Sequence, residues 1–189
     1  MDTKLPEKET KAPIRPQMTI CKETNTEIIH EEGAIEIICN VFRAFHPDMI
    51  IELGTGLGTL TWMLSQTFKD IEIYTFEKNN PEYGLAIKRT SYPDNVHFCT
   101  GDLLTEALPL LVSILKLKGS KILYCDNGNK TMEVELYAKH LKAGDMLGVH
   151  DYLTEVVPKN IEKYLKAFYP VNHKLFEQRG LSTRLWLKE

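Results

Sequence analysis

Ile50-Ile51-Glu52-Leu53-Gly54-Thr55-Gly56-Leu57-Gly58-Thr59-Leu60 is the stretch of sequence that decides the fold. An apolar run ends in an acidic residue and a loop with three glycines, and a helical pattern begins directly after that loop. Glycine adopts backbone angles with φ > 0 and lets a ligand approach the main chain closely. A helix start also presents backbone N–H groups that lack partners within the helix. The stretch therefore predicts a strand, a tight turn and a helix whose N-terminus faces a small molecule.

The spacing of the glycines narrows the choice of ligand. Dinucleotide-binding loops follow the pattern G-x-G-x-x-G, in which the third glycine lets the helix pack closely on the strand. Gly54 and Gly56 fit that pattern, but Thr59 stands at its third position and the third glycine comes one residue early, at Gly58. S-adenosylmethionine is the other cofactor bound at loops of this kind, and a glycine-rich turn without a ligand is the plain structural alternative.

Composition and charge restrict the class of protein. The 189 residues favour one domain with a full core, and 43% hydrophobic residues are usual for a globular protein. A formal net charge of −3 disfavours a non-specific nucleic-acid binder, which needs a basic surface. No apolar run approaches the roughly 20 residues that span a bilayer, and Met1–Thr10 lacks the apolar segment of a signal peptide. Four cysteines without C-x-x-C spacing are typical of free thiols in a reducing compartment, so we expect a cytoplasmic protein without disulfides.

The chain divides into a short arm and one α/β domain. Residues 1–25, rich in Pro, Lys, Glu and Thr, are predicted to be a flexible arm, and residues 26–189 a single domain. Short apolar runs alternate with helical patterns, which predicts a mostly parallel sheet with helices on both faces. The last two strand-like runs are joined only by a short turn around Gly180, so they are predicted to form an antiparallel hairpin. The predicted strands are 48–53, 71–76, 95–100, 121–125, 145–150, 171–177 and 182–188, and the predicted helices are 27–45, 57–68, 81–91, 104–117, 130–142 and 157–168.

Acidic residues end successive predicted strands, where ligands of open α/β sheets bind. Glu77 follows the second strand, and its carboxylate suits the paired hydroxyls of a ribose. Asp102 follows the third strand. Each acid has a structural alternative, since Asp102 could cap the next helix and Glu52 could bind amides of its own loop. Their joint placement at three successive strand ends favours a nucleoside ligand over three unrelated caps.

Two motifs resemble those of a known family. Glu52–Gly58 resembles the first motif, E/D-x-G-x-G-x-G, of class I S-adenosylmethionine-dependent methyltransferases, and Gly101-Asp102-Leu103 resembles the residues that follow their third strand. A parallel sheet finished by a hairpin resembles their Rossmann-like, seven-stranded core. The resemblance implies that Glu77 binds the ribose, that Asp102 accepts from the adenine amino group and that the Leu103 amide meets a ring nitrogen. It assigns cofactor binding to Glu52, Gly54, Thr55, Gly56, Gly58, Glu77, Lys78, Gly101, Asp102, Leu103 and Asp126.

The residues after the fourth and fifth strands resemble a smaller group. Asp126 follows the fourth strand and His150-Asp151 follows the fifth, a pattern similar to that of the catechol O-methyltransferases and of the cephalosporin-hydroxylase-like and macrocin O-methyltransferase-like proteins. In those relatives, the corresponding positions bind a divalent cation that clamps two substrate oxygens and lowers the pKa of the attacking hydroxyl. The resemblance implies Asp126, His150 and Asp151 as metal ligands. It implies Lys130, His150 and Asp151 as catalytic residues, with Lys130 as a candidate base.

Two departures from that group bear on the metal. The catechol group has Asp-Asn where this chain has His150-Asp151, and its lysine lies three residues after the aspartate where Lys130 lies four residues after. Oxygen ligands suit magnesium, whereas a histidine moves the preference towards manganese, iron or zinc. The alternative for His150 is a general base without a metal, since its ordinary pKa is near neutrality. The remaining histidines show no paired spacing and are interpreted as structural: His30, His46, His97, His140 and His173.

The sequence therefore predicts a small methyltransferase that uses S-adenosylmethionine to methylate a hydroxyl on a small molecule. A divalent cation (Mg, Mn or similar) is an open second cofactor. Two alternatives also stay open: an NAD(P)-dependent oxidoreductase with a Rossmann fold, and a non-catalytic S-adenosylmethionine-binding protein. We expect no nucleic-acid or membrane partner, and the sequence leaves a homodimer open.

Overall fold

The computed structural model describes residues 19–21, 26–28, 30–31, 33–78 and 91–189. A seven-stranded sheet forms the centre of the molecule, and a two-stranded sheet precedes it in the chain. Within the described residues, no helix has the length and apolar character required to cross a membrane. The strands are β1 (Thr19–Cys21), β2 (Thr26–Ile28), β3 (Met49–Leu53), β4 (Glu72–Glu77), β5 (Val96–Thr100), β6 (Lys121–Cys125), β7 (Met146–Val149), β8 (Phe168–Val171) and β9 (Arg184–Lys188). The helices are α1 (Ala34–Phe45), α2 (Thr59–Thr67), α3 (Leu108–Leu115), α4 (Lys130–Tyr137), α5 (Pro158–Ile161) and α6 (His173–Gln178), with 3-10 turns at Ala138–His140 and Glu162–Tyr164.

The central sheet has the strand order β5-β4-β3-β6-β7-β9-β8. β3 pairs in parallel with β4 and β6, β4 pairs in parallel with β5, and β6 pairs in parallel with β7. β9 runs antiparallel to both of its neighbours, β7 and β8, and is the one reversed strand of this sheet. The prediction of a mostly parallel seven-stranded sheet with a C-terminal antiparallel pair is confirmed.

Two hydrophobic clusters cover the two faces of the sheet. Successive residues of a strand point to opposite faces, so Ile51 belongs to one cluster and Ile50 to the other. Residues of α3, α4 and α5 pack in the cluster of Ile51, whereas residues of α1, α2 and α6 pack in the cluster of Ile50. This arrangement buries every residue of β3 and leaves the carboxyl ends of the parallel strands free to form a site.

The predicted helix 27–45 begins later than expected. Residues 26–28 form β2, which pairs antiparallel with β1, and α1 begins at Ala34. Gly33 precedes the helix with φ 75, a left-handed conformation that does not continue a right-handed helix. β1 lies within the predicted N-terminal arm, whereas residues 1–18 and 22–25 of that arm lie outside the described residues. The predicted helix 81–91 also lies outside them, apart from its last residue.

The C-terminal antiparallel pair is connected differently from the prediction. The predicted helix 157–168 is only the single turn α5 and a 3-10 turn, because β8 already begins at Phe168. Most of the predicted strand 171–177 is instead α6, in which Phe176 is fully buried. β8 and β9 are therefore linked through a helix rather than by a tight turn at Gly180. Periodicity cannot separate a short strand from a single buried helical turn, which explains the error.

Candidate functional site

The strand register brings four of the predicted site residues into one row. Leu53 on β3 lies opposite Phe76 on β4 and opposite Cys125 on β6, and Cys125 lies opposite Val149 on β7. Each of these four residues is followed directly by a predicted site residue. Those residues are Gly54, Glu77, Asp126 and His150.

Gly54 and Gly56 have different roles in the glycine loop. Gly54, with φ 101, donates its N–H to the Phe76 carbonyl at 2.9 Å, and a Cβ added here would lie 2.5 Å from the Asp126 carbonyl oxygen. Gly56, with φ 53, donates its N–H to Glu77 Oε2 at 2.9 Å, and a Cβ added there would meet no heavy atom within 4 Å. Gly54 is therefore needed to fit the loop against the end of β6. Gly56 instead leaves room for a ligand to approach the main chain.

Glu52 is fully buried and accepts hydrogen bonds from threonine hydroxyls. Its Oε2 atom lies 2.5 Å from Thr61 Oγ1 and 2.6 Å from Thr75 Oγ1, and Thr55 Oγ1 lies 2.5 Å from Thr75 Oγ1. Its Oε1 atom is buried without a hydrogen-bond partner. Burial raises the pKa of Glu52 to about 8, although the hydrogen bonds from Thr61 and Thr75 act in the opposite direction. Glu52 is therefore largely a neutral acid at pH 7, and it joins β3, β4 and α2 beneath the loop.

A cavity of about 300 Å³ lies over the glycine loop. Gly58, with φ 80, directly precedes α2, so residues at the start of that helix form one wall of the cavity. The ends of β6 and β7 and the start of α4 contribute to the other side. The side chains there include His30, Asp126, Lys130, His150, Asp151 and Glu155.

Asp126 lies between two histidines. Its Oδ1 atom is 2.9 Å from His150 Nδ1 and its Oδ2 atom is 3.2 Å from His30 Nε2, while the centroids of the two imidazole rings are 4.4 Å apart. Burial opposes ionisation of Asp126, yet the hydrogen bond from His150 and the close contact with His30 hold the pKa of its carboxyl well below the usual range. His30, interpreted from the sequence as structural, comes from the segment before α1 and lies beside Asp126. No spacing or motif could have predicted this position, because the fold alone brings His30 there.

His150 and Lys130 are held in their charged forms by carboxylates. Burial lowers the pKa of His150, but hydrogen bonds to carboxylates, above all Asp126 and Asp151, raise it to about 11. Burial also lowers the pKa of Lys130, but its bonds to Asp151 and Glu155, each 2.8 Å, raise it above its ordinary value. The pKa of Asp151 is lowered, mainly by its hydrogen bond with His150, so this carboxylate is ionised. In this arrangement the Asp151 carboxylate lies between two protonated side chains, His150 and Lys130.

The cluster of His30, Asp126 and His150 offers three ligand atoms to a cation. One atom from each residue lies within 4.8 Å of the other two. The Nε2 atoms of both histidines are buried without a hydrogen bond of good geometry. Asp151, the third ligand expected from the sequence, has its Oδ2 atom 2.8 Å from Lys130 Nζ and 3.3 Å from His150 Nδ1. Two imidazoles and one carboxylate fit manganese, iron or zinc better than magnesium.

The residues predicted to bind adenine line a second cavity of about 90 Å³. Lys78 Nζ lies 2.7 Å from Asp102 Oδ2, and Asp102 Oδ1 accepts the N–H of Leu104 at 2.8 Å. Gly101, with φ 125, donates its N–H to the Glu77 carbonyl at 3.1 Å and so holds the end of β5 beside β4. Asp102 therefore shapes its own turn and also faces the cavity. The lining consists of Lys78, Asp102, Leu103, Leu104, Asn127, Asn129 and Glu133.

No protein-family model matches this sequence. Among solved structures, a Staphylococcus aureus protein assigned as a caffeoyl-CoA O-methyltransferase has a TM-score of 0.61 and 16% identity, over 86% of this chain and 86% of its own. The apo structure of CmcI-N160 has a TM-score of 0.62 and 15% identity, over 100% of this chain and 89% of its own. The Podospora anserina methyltransferase PaMTH1, bound to SAH, has a TM-score of 0.59 and 13% identity, over 82% of this chain and 77% of its own.

At identities of 13–16%, these similarities show the fold alone. The reversed strand β9 between β7 and β8 and the helices on both faces agree with them. This chain has the Rossmann-like fold of the class I S-adenosylmethionine-dependent methyltransferases.

Proposed function

We propose that the protein transfers a methyl group from S-adenosylmethionine to a hydroxyl group on a small molecule. The observation that carries this proposal is a single cavity with two kinds of wall. Gly56 and the start of α2 form one wall, and Asp126, His150 and Asp151 belong to the other. The first wall suits a cofactor that approaches the main chain, and the second suits a polar acceptor. Holding two reactants in line supplies much of the acceleration available to such a transfer.

The strand order favours this function over NAD(P)-dependent oxidation. The usual dinucleotide-binding sheet has the order 3-2-1-4-5-6 and is mostly parallel. Here β9 runs antiparallel between β7 and β8, as the last strand in the chain but not the last in the sheet. The position of Gly58 next to Thr59 supports the same choice, because a dinucleotide loop would have a glycine at position 59.

A divalent cation is part of the proposed mechanism. His30, Asp126 and His150 would hold it, because their ligand atoms already lie close together and the Nε2 atoms of both histidines lack a hydrogen bond of good geometry. Binding of the cation would displace the proton that His150 carries in the metal-free protein. When bound, such a cation lowers the pKa of a hydroxyl that it contacts. The two histidines support a transition metal rather than magnesium, in line with the preference of imidazole ligands.

The remaining residues of the cluster would orient the acceptor and take its proton. Lys130 stays protonated and fixes the Asp151 carboxylate at the cavity wall. During transfer, the sulfur–methyl bond breaks as the oxygen–methyl bond forms, and the electron pair of the broken bond stays on sulfur. The hydroxyl proton passes to Asp151, which is ionised and partly exposed.

Two measurements test the proposed function. Isothermal titration with S-adenosylmethionine, S-adenosylhomocysteine and NAD should show binding of the first two, and binding of NAD alone would contradict the proposal. Transfer of a labelled methyl group to a panel of catechols and aliphatic diols, with Mn, Fe, Zn or Mg present, should then identify the acceptor class. Tight cofactor binding without transfer to any member of the panel would instead favour the non-catalytic alternative.

A further inference from the structure

Glu31 joins the N-terminal segment to the segment that precedes β9. Its Oε1 atom accepts the Ser182 N–H at 2.7 Å, although the two residues are 151 positions apart in the chain. Ser182 lies between Leu181 and Thr183, which are both buried, so its amide has a fixed position. The Glu31 carbonyl accepts the N–H of Ala34 at 2.9 Å where α1 begins. Glu31 is therefore held through both its side chain and its main chain.

The second carboxyl oxygen of Glu31 faces the proposed cation site. Glu31 Oε2 lies 3.5 Å from His150 Nε2, and both atoms are buried without a hydrogen bond of good geometry. His30 Nε2 is a further buried atom without such a bond, and it lies 3.2 Å from Asp126 Oδ2. Ligand atoms about 2.1 Å from one ion are separated from their neighbours by about 3–3.5 Å. Both carboxyl–imidazole pairs therefore have the spacing of neighbouring ligands on one cation.

Asp151, which the sequence predicts as a metal ligand, already neutralises another charge. Its Oδ2 atom lies 2.8 Å from Lys130 Nζ, and the Lys130 side chain is buried. Moving Asp151 onto an ion would take a carboxylate away from that buried ammonium, which costs free energy. Glu31 Oε2 has no hydrogen-bond partner to give up. The unsatisfied oxygen of Glu31 is therefore the better donor to a cation.

We propose that Glu31, in place of Asp151, is the fourth protein ligand of the cation. This inference rests on the proposed function, because it takes the ion to be held by His30, Asp126 and His150. The donor set becomes two imidazoles and two carboxylates, which suits manganese, iron or zinc. The carboxylates of Asp126 and Glu31 balance the two charges of a buried divalent ion, whereas Asp126 alone leaves one charge unpaired. His30 and Glu31, consecutive in the chain, supply half of the ligands, so the ion fixes the N-terminal segment beside the acceptor side of the cavity.

Metal binding by two variants tests this assignment. Glu31→Gln keeps an oxygen for the Ser182 amide but removes the charge and turns an N–H group towards the ion. Titration calorimetry with Zn²⁺ or Mn²⁺ should give an affinity at least about tenfold below that of the wild type, since loss of even a hydrogen-bond partner of a metal ligand typically costs about 10–100-fold. Asp151→Asn should weaken metal binding less than Glu31→Gln does. Glu36→Gln, exposed on α1, is the matched control and should bind metal as the wild type does.

The absorption spectrum of the Co²⁺-loaded protein separates ligation from an effect on folding, because it depends on the number and geometry of the ligands. The spectrum should change in Glu31→Gln and stay as in the wild type in Asp151→Asn. Both variants should still bind S-adenosylhomocysteine, which shows that the glycine loop is intact. A larger loss of metal affinity in Asp151→Asn, or a wild-type spectrum and affinity in Glu31→Gln, overturns the role of Glu31. A wild type that binds none of these metals contradicts the cation of the proposed function itself, so the two failures are distinguishable.

Discussion

Asp126 and His150 stand at the ends of neighbouring strands, and the Asp126 Oδ1 atom lies 2.9 Å from the His150 Nδ1 atom. The parallel register of β6 and β7 fixes this pair, because Cys125 and Val149 lie opposite each other immediately before it. His30 reaches the second oxygen of the same carboxylate from a segment before α1. One aspartate therefore holds together the sheet, the N-terminal segment and the proposed acceptor side of the cavity.

Replacement of Asp126 by Asn should destabilise the ligand-free protein by about 3–5 kcal/mol, the usual cost of breaking a buried ion pair. The variant keeps the size of the side chain but leaves the two imidazoles without their carboxylate. Urea unfolding at neutral pH measures the loss. Asp102→Asn is the control, because its partner Lys78 is largely exposed and such a pair contributes at most about 1 kcal/mol. Equal losses in the two variants would show that the buried cluster adds no particular stability.

Replacement of His30 by Gln should abolish high-affinity binding of Mn²⁺ or Zn²⁺ while S-adenosylhomocysteine still binds. The variant removes one of three ligand atoms of the proposed metal site and leaves the glycine loop intact. Titration calorimetry with each metal in turn, in the absence of substrate, measures the effect. His97→Gln is the control, since His97 lies on β5 and pairs with Glu72, and it should bind metal as the wild type does. Unchanged metal affinity in His30→Gln would exclude His30 as a ligand.

The two loop glycines should respond differently to alanine. Gly54→Ala should lower the free energy of unfolding by about 3 kcal/mol or more, because its Cβ would overlap the Asp126 carbonyl oxygen and its φ is 101. Gly56→Ala should cost only about 1–2 kcal/mol, the strain of a left-handed alanine. It should weaken S-adenosylhomocysteine binding at least about tenfold, since its methyl group occupies the proposed approach of the cofactor. Thermal unfolding and calorimetry measure both effects, and wild-type affinity in Gly56→Ala would argue against ligand binding at this loop.

Glu52 should make the protein less stable as the pH rises. Its folded-state pKa of about 8 exceeds the ordinary value of 4.5, so between these values the folded protein binds more protons than the unfolded chain. The stabilisation that Glu52 contributes is therefore fully present below about pH 4.5 and is lost as the pH rises to 8. Between these values the free energy of unfolding falls by at most about 1.4 kcal/mol per pH unit. Glu52→Gln still accepts the threonine hydrogen bonds but does not titrate.

Unfolding of the wild type and Glu52→Gln in urea at several pH values between 5 and 8 checks this linkage. The stability of the variant relative to the wild type should increase with pH across that window. Glu36→Gln, on the exposed side of α1, should follow the wild type at every pH. Parallel curves for the wild type and Glu52→Gln would show that Glu52 titrates normally in the folded protein.

Much of the fold was predictable because its signals are local. The run before Gly54, the glycine loop and the apolar stripe of α2 lie within one short stretch, and the structure confirms strand, turn and helix there. The C-terminal region carried weaker signals. The run before Gly180 contains Phe176, a buried residue that suits either a strand or a helical turn. In the folded protein this run forms α6, in which Phe176 packs in the cluster of Ile50.

The sequence by itself determined the strand–loop–helix unit, the alternation that leads to a parallel sheet, and the acids at the strand ends, because spacing along the chain fixes these features. Tertiary structure alone decided that His30 joins Asp126, that Gly54 must be a glycine to pass the Asp126 carbonyl, and that Glu133 is buried beside Asp102. These contacts join residues far apart in sequence, and their energetics depend on burial and on the register of neighbouring strands. Neither the burial of a residue nor the register of its strand can be obtained from the residues next to it in sequence.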